Sequence, residues 1–176
     1  MDYYDFKTHA DLGSRRGQGS NTWGWVSDDG REFVAVGQED GTAFAEITKE
    51  GKIVYLGRLP QQSSVSRWRE MKSYREYMVI GSEAVNHGVQ FFDMKKLLNV
   101  DPRSPRTFST TRDLAGFFND LPSGRSHNVV VVCTIKIVYS LIRPIERLTN
   151  NLTRTKNSAT PWLSAPSLAT APAPLG

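Results

Sequence analysis

A repeated order of short β-type segments and tight turns is the feature that most constrains this chain. Glycine-containing turns at 28–30, 39–41 and 49–51 separate segments rich in β-forming residues at 22–26, 32–37, 42–47 and 52–56. Glycine in such a turn can adopt the positive φ that tight hairpins require. Four short strands joined by three tight turns therefore predict one antiparallel sheet, which ends at Pro60.

The same order recurs further along the chain, at 64–71, 76–81, 88–94 and, more weakly, 107–109. The register is set by matching Trp23 with Trp68, 34–37 with 78–81, and 44–47 with 91–94, which gives offsets of 45, 44 and 47 residues. A period of about 40–45 residues is typical of a propeller blade. We predict an all-β fold, namely a partial β-propeller-like array of four-stranded antiparallel blades. Residues 1–131 form this incomplete propeller, with blades at about 20–60 and 64–110 and a third that begins at 124.

Residues 132–176 differ in character from the rest. Alternation of apolar and polar residues stops, and 157–176 consist mostly of Ala, Pro, Ser, Leu and Thr with no charged side chain. Such a composition lacks the pattern that packs a core. We expect 132–176 to be non-native or disordered, and a retained intron that shifts the reading frame is our hypothesis for its origin.

Charge argues against nucleic acid as a partner. The chain carries a net charge of +4, yet 1–128 hold 17 Lys and Arg against 17 Asp and Glu. The excess lies after that point, so no basic face is predicted for the propeller region. The apolar run 129–145 is interrupted by Lys136 and Arg143, and we predict no membrane span.

Six sequence strings resemble one known family. They are His-Ala-Asp-Leu-Gly at 9–13, Asp-Gly-Arg-Glu-Phe-Val-Ala-Val-Gly at 29–37, Gly-Thr-Ala-Phe-Ala-Glu-Ile at 41–47, Val-Ile-Gly-Ser-Glu at 79–83, Asn-His-Gly-Val-Gln-Phe-Phe-Asp at 86–93 and His-Asn-Val-Val-Val at 127–131. Over residues 2–131 the chain resembles the choice-of-anchor B family, whose repeats are called LVIVD and whose fungal members are often labelled regulatory P domain-containing proteins. The resemblance implies a secreted or surface-anchored β-propeller-like domain, longer than this chain, with no established reaction. Family members usually begin with a secretion signal, whereas this chain begins with an acidic, polar segment and is predicted to lack one.

Histidines are the first candidates for a site. His87 precedes a third strand and His127 opens the third repeat, so both are predicted near the loops at one mouth of the propeller, where binding sites are common. We favour a hydrogen-bonded structural role for a histidine of this kind, and we take His87 and His127 as the candidate binding residues if the domain has a site. The histidines lack metal-ligand spacing, so no metal site, catalytic residue or cofactor is predicted.

Tryptophans offer a second candidate. Trp23, Trp25 and Trp68 form either an aromatic ligand platform or, as we favour, the core between blades. Two functions are consistent with the sequence. The preferred one is a non-catalytic extracellular binding or scaffold domain whose partner is a protein, a glycan or a small molecule. The alternative is a metal-assisted hydrolase with histidines at the propeller mouth.

Overall fold

The computed structural model describes residues 4–132 and 137–141, which form eleven strands and one 3₁₀ helix, Met94–Leu97. The strands are β1 Gly19–Val26, β2 Glu32–Gln38, β3 Gly41–Ile47, β4 Ile53–Pro60, β5 Arg69–Tyr74, β6 Tyr77–Ser82, β7 Val89–Asp93, β8 Arg106–Thr107, β9 Leu114–Phe118, β10 Asn128–Val132 and β11 Ile137–Leu141. The prediction of an all-β fold is confirmed.

The strands form two larger sheets and a hairpin. The first sheet has the order β1-β2-β3-β4-β8, in which β1 to β4 run antiparallel and β8 pairs parallel to β4. The second sheet has the order β5-β6-β7-β9 and is antiparallel throughout. Strands β10 and β11 pair antiparallel with each other. In both larger sheets the chain visits four antiparallel neighbours in sequence order, because short turns join most of them.

One predicted strand is wrong. Residues 107–109 were expected to complete the second sheet, but Leu114–Phe118 takes that place beside β7. The chain instead returns to the first sheet, where Arg106 and Thr107 pair with β4 and the Phe108 backbone N–H donates to the Arg58 carbonyl at 2.8 Å. The physical reason is the Phe108 ring, which is buried in the core between the two sheets.

The register of the first strands is also wrong. Trp23 pairs with Ala35, and the position equivalent to Ala35 in the second sheet is Val79, which pairs with Lys72. The counterpart of Trp23 is therefore Lys72, and Trp68 precedes β5. The reason is the length of the connection, because residues 27–31 join β1 to β2 whereas Arg75 and Glu76 alone join β5 to β6.

Aromatic rings join the two sheets. Phe44 of β3 stacks on Phe92 of β7 with ring centroids 4.5 Å apart, and the Phe108 ring meets their edges at 6.2 and 4.8 Å. Around them lies one core drawn from both sheets: Trp25, Phe33, Ala35, Leu56 and Leu59 from the first, and Met71, Met78, Ile80, Met94 and Leu97 from the second and the 3₁₀ helix. Alternate residues of β2 and β6 enter this core, as the two-residue period of a strand requires.

Gly37 in β2 and Gly81 in β6 are each the next-to-last residue of their strand, and the first strand of the following repeat passes close to each. A Cβ on Gly37 would lie 3.2 Å from the Met71 side chain, and one on Gly81 would lie 2.7 Å from the Ser126 carbonyl oxygen. Accordingly β5 lies beside β1 and β2, while β10 lies beside β5 and β6. The step from the first sheet to the second is thus repeated from the second sheet to β10.

Within 132–176 the structure describes Val132 and the strand Ile137–Leu141, and the rest of the expected non-native or disordered segment lies outside the described residues. Of the apolar run 129–145, the structure describes 129–132 and 137–141. The part of the chain that the structure describes contains no helix long and apolar enough to cross a membrane.

Replacing Phe92 with Ala should lower the free energy of unfolding by about 3–5 kcal/mol, because the substitution removes the stacked ring and leaves a cavity between the sheets. Chemical denaturation followed by tryptophan fluorescence measures this change. Phe117→Ala is the matched control, because that ring is 42% exposed, and it should cost less than about 1 kcal/mol. Equal losses in the two variants would contradict the assigned core.

Candidate functional site

Two loops at one end of the second sheet carry most of the candidate site residues. One loop precedes β5 and contains Trp68, and the other joins β6 to β7 and contains Glu83 and His87. Two hydrogen bonds to the Trp68 carbonyl connect the loops. The Glu83 N–H donates to this oxygen at 3.2 Å, and the Ser82 hydroxyl donates to it at 3.1 Å. The loops therefore hold their side chains in fixed relative positions.

His87 is fully buried and paired. Its Nδ1 lies 3.1 Å from the Gly88 carbonyl oxygen, and its Nε2 lies 2.7 Å from Nη1 of Arg69. Because the guanidinium can only donate, Nε2 accepts and Nδ1–H donates to Gly88. Burial, and secondarily the Arg69 charge, lower the pKa of His87 to about 4. This histidine is thus a neutral hydrogen-bond acceptor inside the protein, which matches the structural role left open for it.

Arg69 is a buried cation at the centre of this end. Its Nε donates to the Gln38 carbonyl at 3.1 Å, and burial lowers its pKa to about 10. Its Nη2 has no hydrogen-bond partner among the described residues, and neither do the buried side-chain oxygens of Gln38, Thr42 and Gln90. Sequence reasoning did not single out Arg69, because an arginine that opens a strand resembles an ordinary surface residue.

The nearby carboxylate, Asp40, pairs with Arg58 and not with Arg69. Asp40 forms an ion pair with Arg58 at 2.6 Å and accepts from the Ser14 hydroxyl at 2.7 Å and the Arg15 N–H at 2.9 Å. Burial alone would raise the pKa of Asp40, but these bonds outweigh it and hold the value at about 2. Asp40 therefore fastens the segment before β1 to the β2–β3 turn and the fourth strand of the first sheet.

His127 is half-buried and belongs to a different cluster. Its Nδ1 is 2.5 Å from Oε1 of Glu83, and its ring lies 6.1 Å from the Trp68 ring at an interplanar angle of 48°. The Arg67 guanidinium lies 5.9 Å from the Trp68 ring centroid. We name these four residues, Arg67, Trp68, Glu83 and His127, the Trp68 patch. The structure thus gives His87 and His127 separate partners and does not bring them into one site.

The tryptophans divide between the two roles considered for them. Trp25 is buried in the core, as favoured, and its Nε1–H donates to the Arg75 carbonyl at 2.8 Å. The core prediction is wrong for Trp68, which is 49% exposed, and for Trp23, which is 39% exposed under Lys72. A sequence signal for Trp68 was the mostly polar stretch 62–67 directly before it, which lacks strand alternation.

The described residues contain no group of three or more His, Cys, Asp or Glu side chains placed to hold a metal ion. The acidic pair at 28–29 belongs to a hairpin turn, in which Asp29 accepts from Ser27 and from the Arg31 N–H at 3.4 Å. These contacts are those of a turn that closes on itself.

Acidification should destabilise the protein through His87. The pKa of this side chain in the folded protein lies below its value of 6.5 in an unfolded chain, so its contribution to stability is complete above pH 6.5 and is lost as the pH falls toward 4. The full loss is about 3 kcal/mol. Urea denaturation at pH 7 and pH 5 measures this. His87→Gln keeps an acceptor for Arg69 but does not titrate, so its stability should change less over this interval, and equal slopes would contradict the assignment.

The Trp68 patch combines an exposed aromatic face with polar groups of both signs. Its members come from three segments of the chain, so no short motif specifies it. Neither family models, curated proteins nor solved structures yield a match to this chain. The chemistry of the patch itself is therefore what argues for its ligand.

Proposed function

We propose that this chain is part of a non-catalytic extracellular binding domain of the β-propeller type, from the choice-of-anchor B family, and that the Trp68 patch binds a glycan. The observation that carries the proposal is the half-exposed Trp68 ring beside the His127–Glu83 pair. An exposed tryptophan face is an apolar platform, and its polar neighbours provide hydrogen bonds at the platform's edge. A sugar ring, with an apolar face and hydroxyl groups around it, matches both features.

The patch is rigid, which favours binding. The Ser126 hydroxyl donates to the Ser82 carbonyl at 2.8 Å and accepts from the Ser82 N–H at 3.0 Å, so the segment that carries His127 is fixed to the end of β6. Glu83 follows directly, and its backbone is bonded to Trp68. Side chains held in place before the ligand arrives lose little conformational entropy on binding.

The repeated relation between sheets supports a propeller-type array. Each first strand lies beside the first two strands of the preceding sheet, with β5 on the first sheet and β10 on the second. A constant step between successive sheets is what a radial array of blades requires. In such an array the loops before β5 and after β6 lie at one mouth, which is where the sequence predicts a binding site.

No observation favours the hydrolase. His87 has both ring nitrogens engaged with Arg69 and Gly88, and His127 is paired with Glu83. Neither nitrogen of His87 is therefore free to bind a metal or move a proton. Around His127 the described residues hold no group of three His, Cys, Asp or Glu side chains that could complete a metal site. The binding function therefore remains our single proposal.

A glycan array probed with the purified chain should identify carbohydrate ligands. Trp68→Ala should weaken binding to them by at least about tenfold, the effect of losing an aromatic anchor. Trp23→Ala is the matched control, because it removes another partly exposed tryptophan outside the patch, and its affinity should equal that of the wild type. Titration calorimetry measures both.

Glu83→Gln should also weaken binding, since it removes the charge of the polar edge without removing the platform. An array with no carbohydrate ligand would contradict the proposal. Ligands bound equally well by Trp68→Ala would contradict the position of the site.

A further inference from the structure

The face of the first sheet that points away from the second sheet carries an apolar groove. Its volume is about 810 Å³, and its floor includes Thr22, Val34, Val36 and Ile47. The segment 6–17 forms its wall. It is fixed just before its start, where the Ile53 N–H donates to Asp5 at 2.9 Å, and within it, where the Gln38 amide donates to the His9 carbonyl at 3.1 Å. We call this feature the first-sheet groove.

Register shows what the floor of the groove corresponds to. Gly37 and Gly81 occupy the same position in their sheets, so Val36 corresponds to Ile80 and Val34 to Met78. Strand pairing extends the match across each sheet. Thr22 pairs with Val36 as Met71 pairs with Ile80, so Thr22 corresponds to Met71. Ile47 pairs with Glu32, and the Met94 N–H donates to the Glu76 carbonyl, so Ile47 corresponds to Met94.

The counterparts in the second sheet are completely buried. Met71, Met78, Ile80 and Met94 are each 0% exposed, because the first sheet packs against them. Their equivalents in the first sheet line an open groove instead. The first-sheet groove is therefore the surface on which a preceding sheet of the same kind would pack.

We propose that the first-sheet groove is an interface for another sheet of this repeat, and that in the 176-residue chain a second copy supplies that sheet. The surface offered by the second copy is the face of its strand β10 that carries Val130. Val129 of β10 is buried against the second sheet, whereas its neighbour Val130 is on the opposite face and is 38% exposed. Strand β10 lies beside β5 and β6 as β5 lies beside β1 and β2, so it continues the series and presents the next packing face.

The contact joins two different surfaces. One copy contributes Val36 in the groove and the other contributes Val130 on the hairpin, so the first keeps an unused hairpin and the second an unused groove for a further neighbour. An interface of this type closes into a ring or extends as a chain, rather than stopping at a symmetric dimer. This inference does not depend on the proposed glycan site, because the Trp68 patch shares no residue with the groove.

Sedimentation equilibrium of the full chain over a range of concentrations provides the test. The wild type should exceed the monomer mass of 19.7 kDa increasingly as concentration rises. Val36→Lys and Val130→Lys should each reduce the assembly, because each places a charge in one half of the interface. Val85→Lys is the matched control, since Val85 is 60% exposed and lies in neither half, and it should assemble like the wild type.

Mixing the two lysine variants tests the geometry directly. Val36→Lys retains an intact hairpin face and Val130→Lys retains an intact groove, so the mixture should form a dimer with one copy of each. This recovery also shows that both variants are folded. A wild type that stays monomeric at all concentrations would overturn the proposal, as would a mixture that stays monomeric. Native mass spectrometry that finds an anionic amphiphile in the groove, near Lys7, Arg15 and Arg16, would also overturn it.

Discussion

Packing of the two sheets through the Phe44, Phe92 and Phe108 rings is the interaction on which the rest of the structure depends. Neither sheet can bury both of its faces alone, and each provides half of the shared core. Phe44 and Phe92 lie on the third strands of successive repeats, so the repeat itself brings them together. Once this contact is made, the loops at the end of the second sheet acquire fixed positions, and with them Arg69, His87 and the Trp68 patch.

Local sequence signals predicted the strands of the first sheet well, because a glycine turn and two-residue alternation are properties of neighbours in the chain. They failed where the deciding contact is distant in sequence. Phe108 returns to the first sheet because a ring-sized space exists between the sheets, and no local pattern encodes that space. The shifted register of Trp23 has another origin, since the connection that joins β1 to β2, residues 27–31, is longer than the one that joins β5 to β6.

The candidate site shows the same limit. Sequence reasoning selected His87 and His127 together, but it could not separate the buried histidine from the half-buried one. That difference depends on Arg69, which lies 18 residues from His87 and donates to it. Trp68 was assigned to the core because tryptophan is usually buried, and only the position of its loop leaves half of the ring in solvent.

The return of the chain through β8 has a consequence for how the repeats come apart. Repeat proteins can lose terminal units one at a time, because each unit contacts only its neighbours through an interface. Here the connection between β7 and β9 leaves the second sheet, adds a strand to the first and inserts Phe108 between the two. The second sheet cannot separate from the first unless the pairing of β8 with β4 is also broken. The connection therefore holds the two sheets together, and we expect them to unfold as a single cooperative unit.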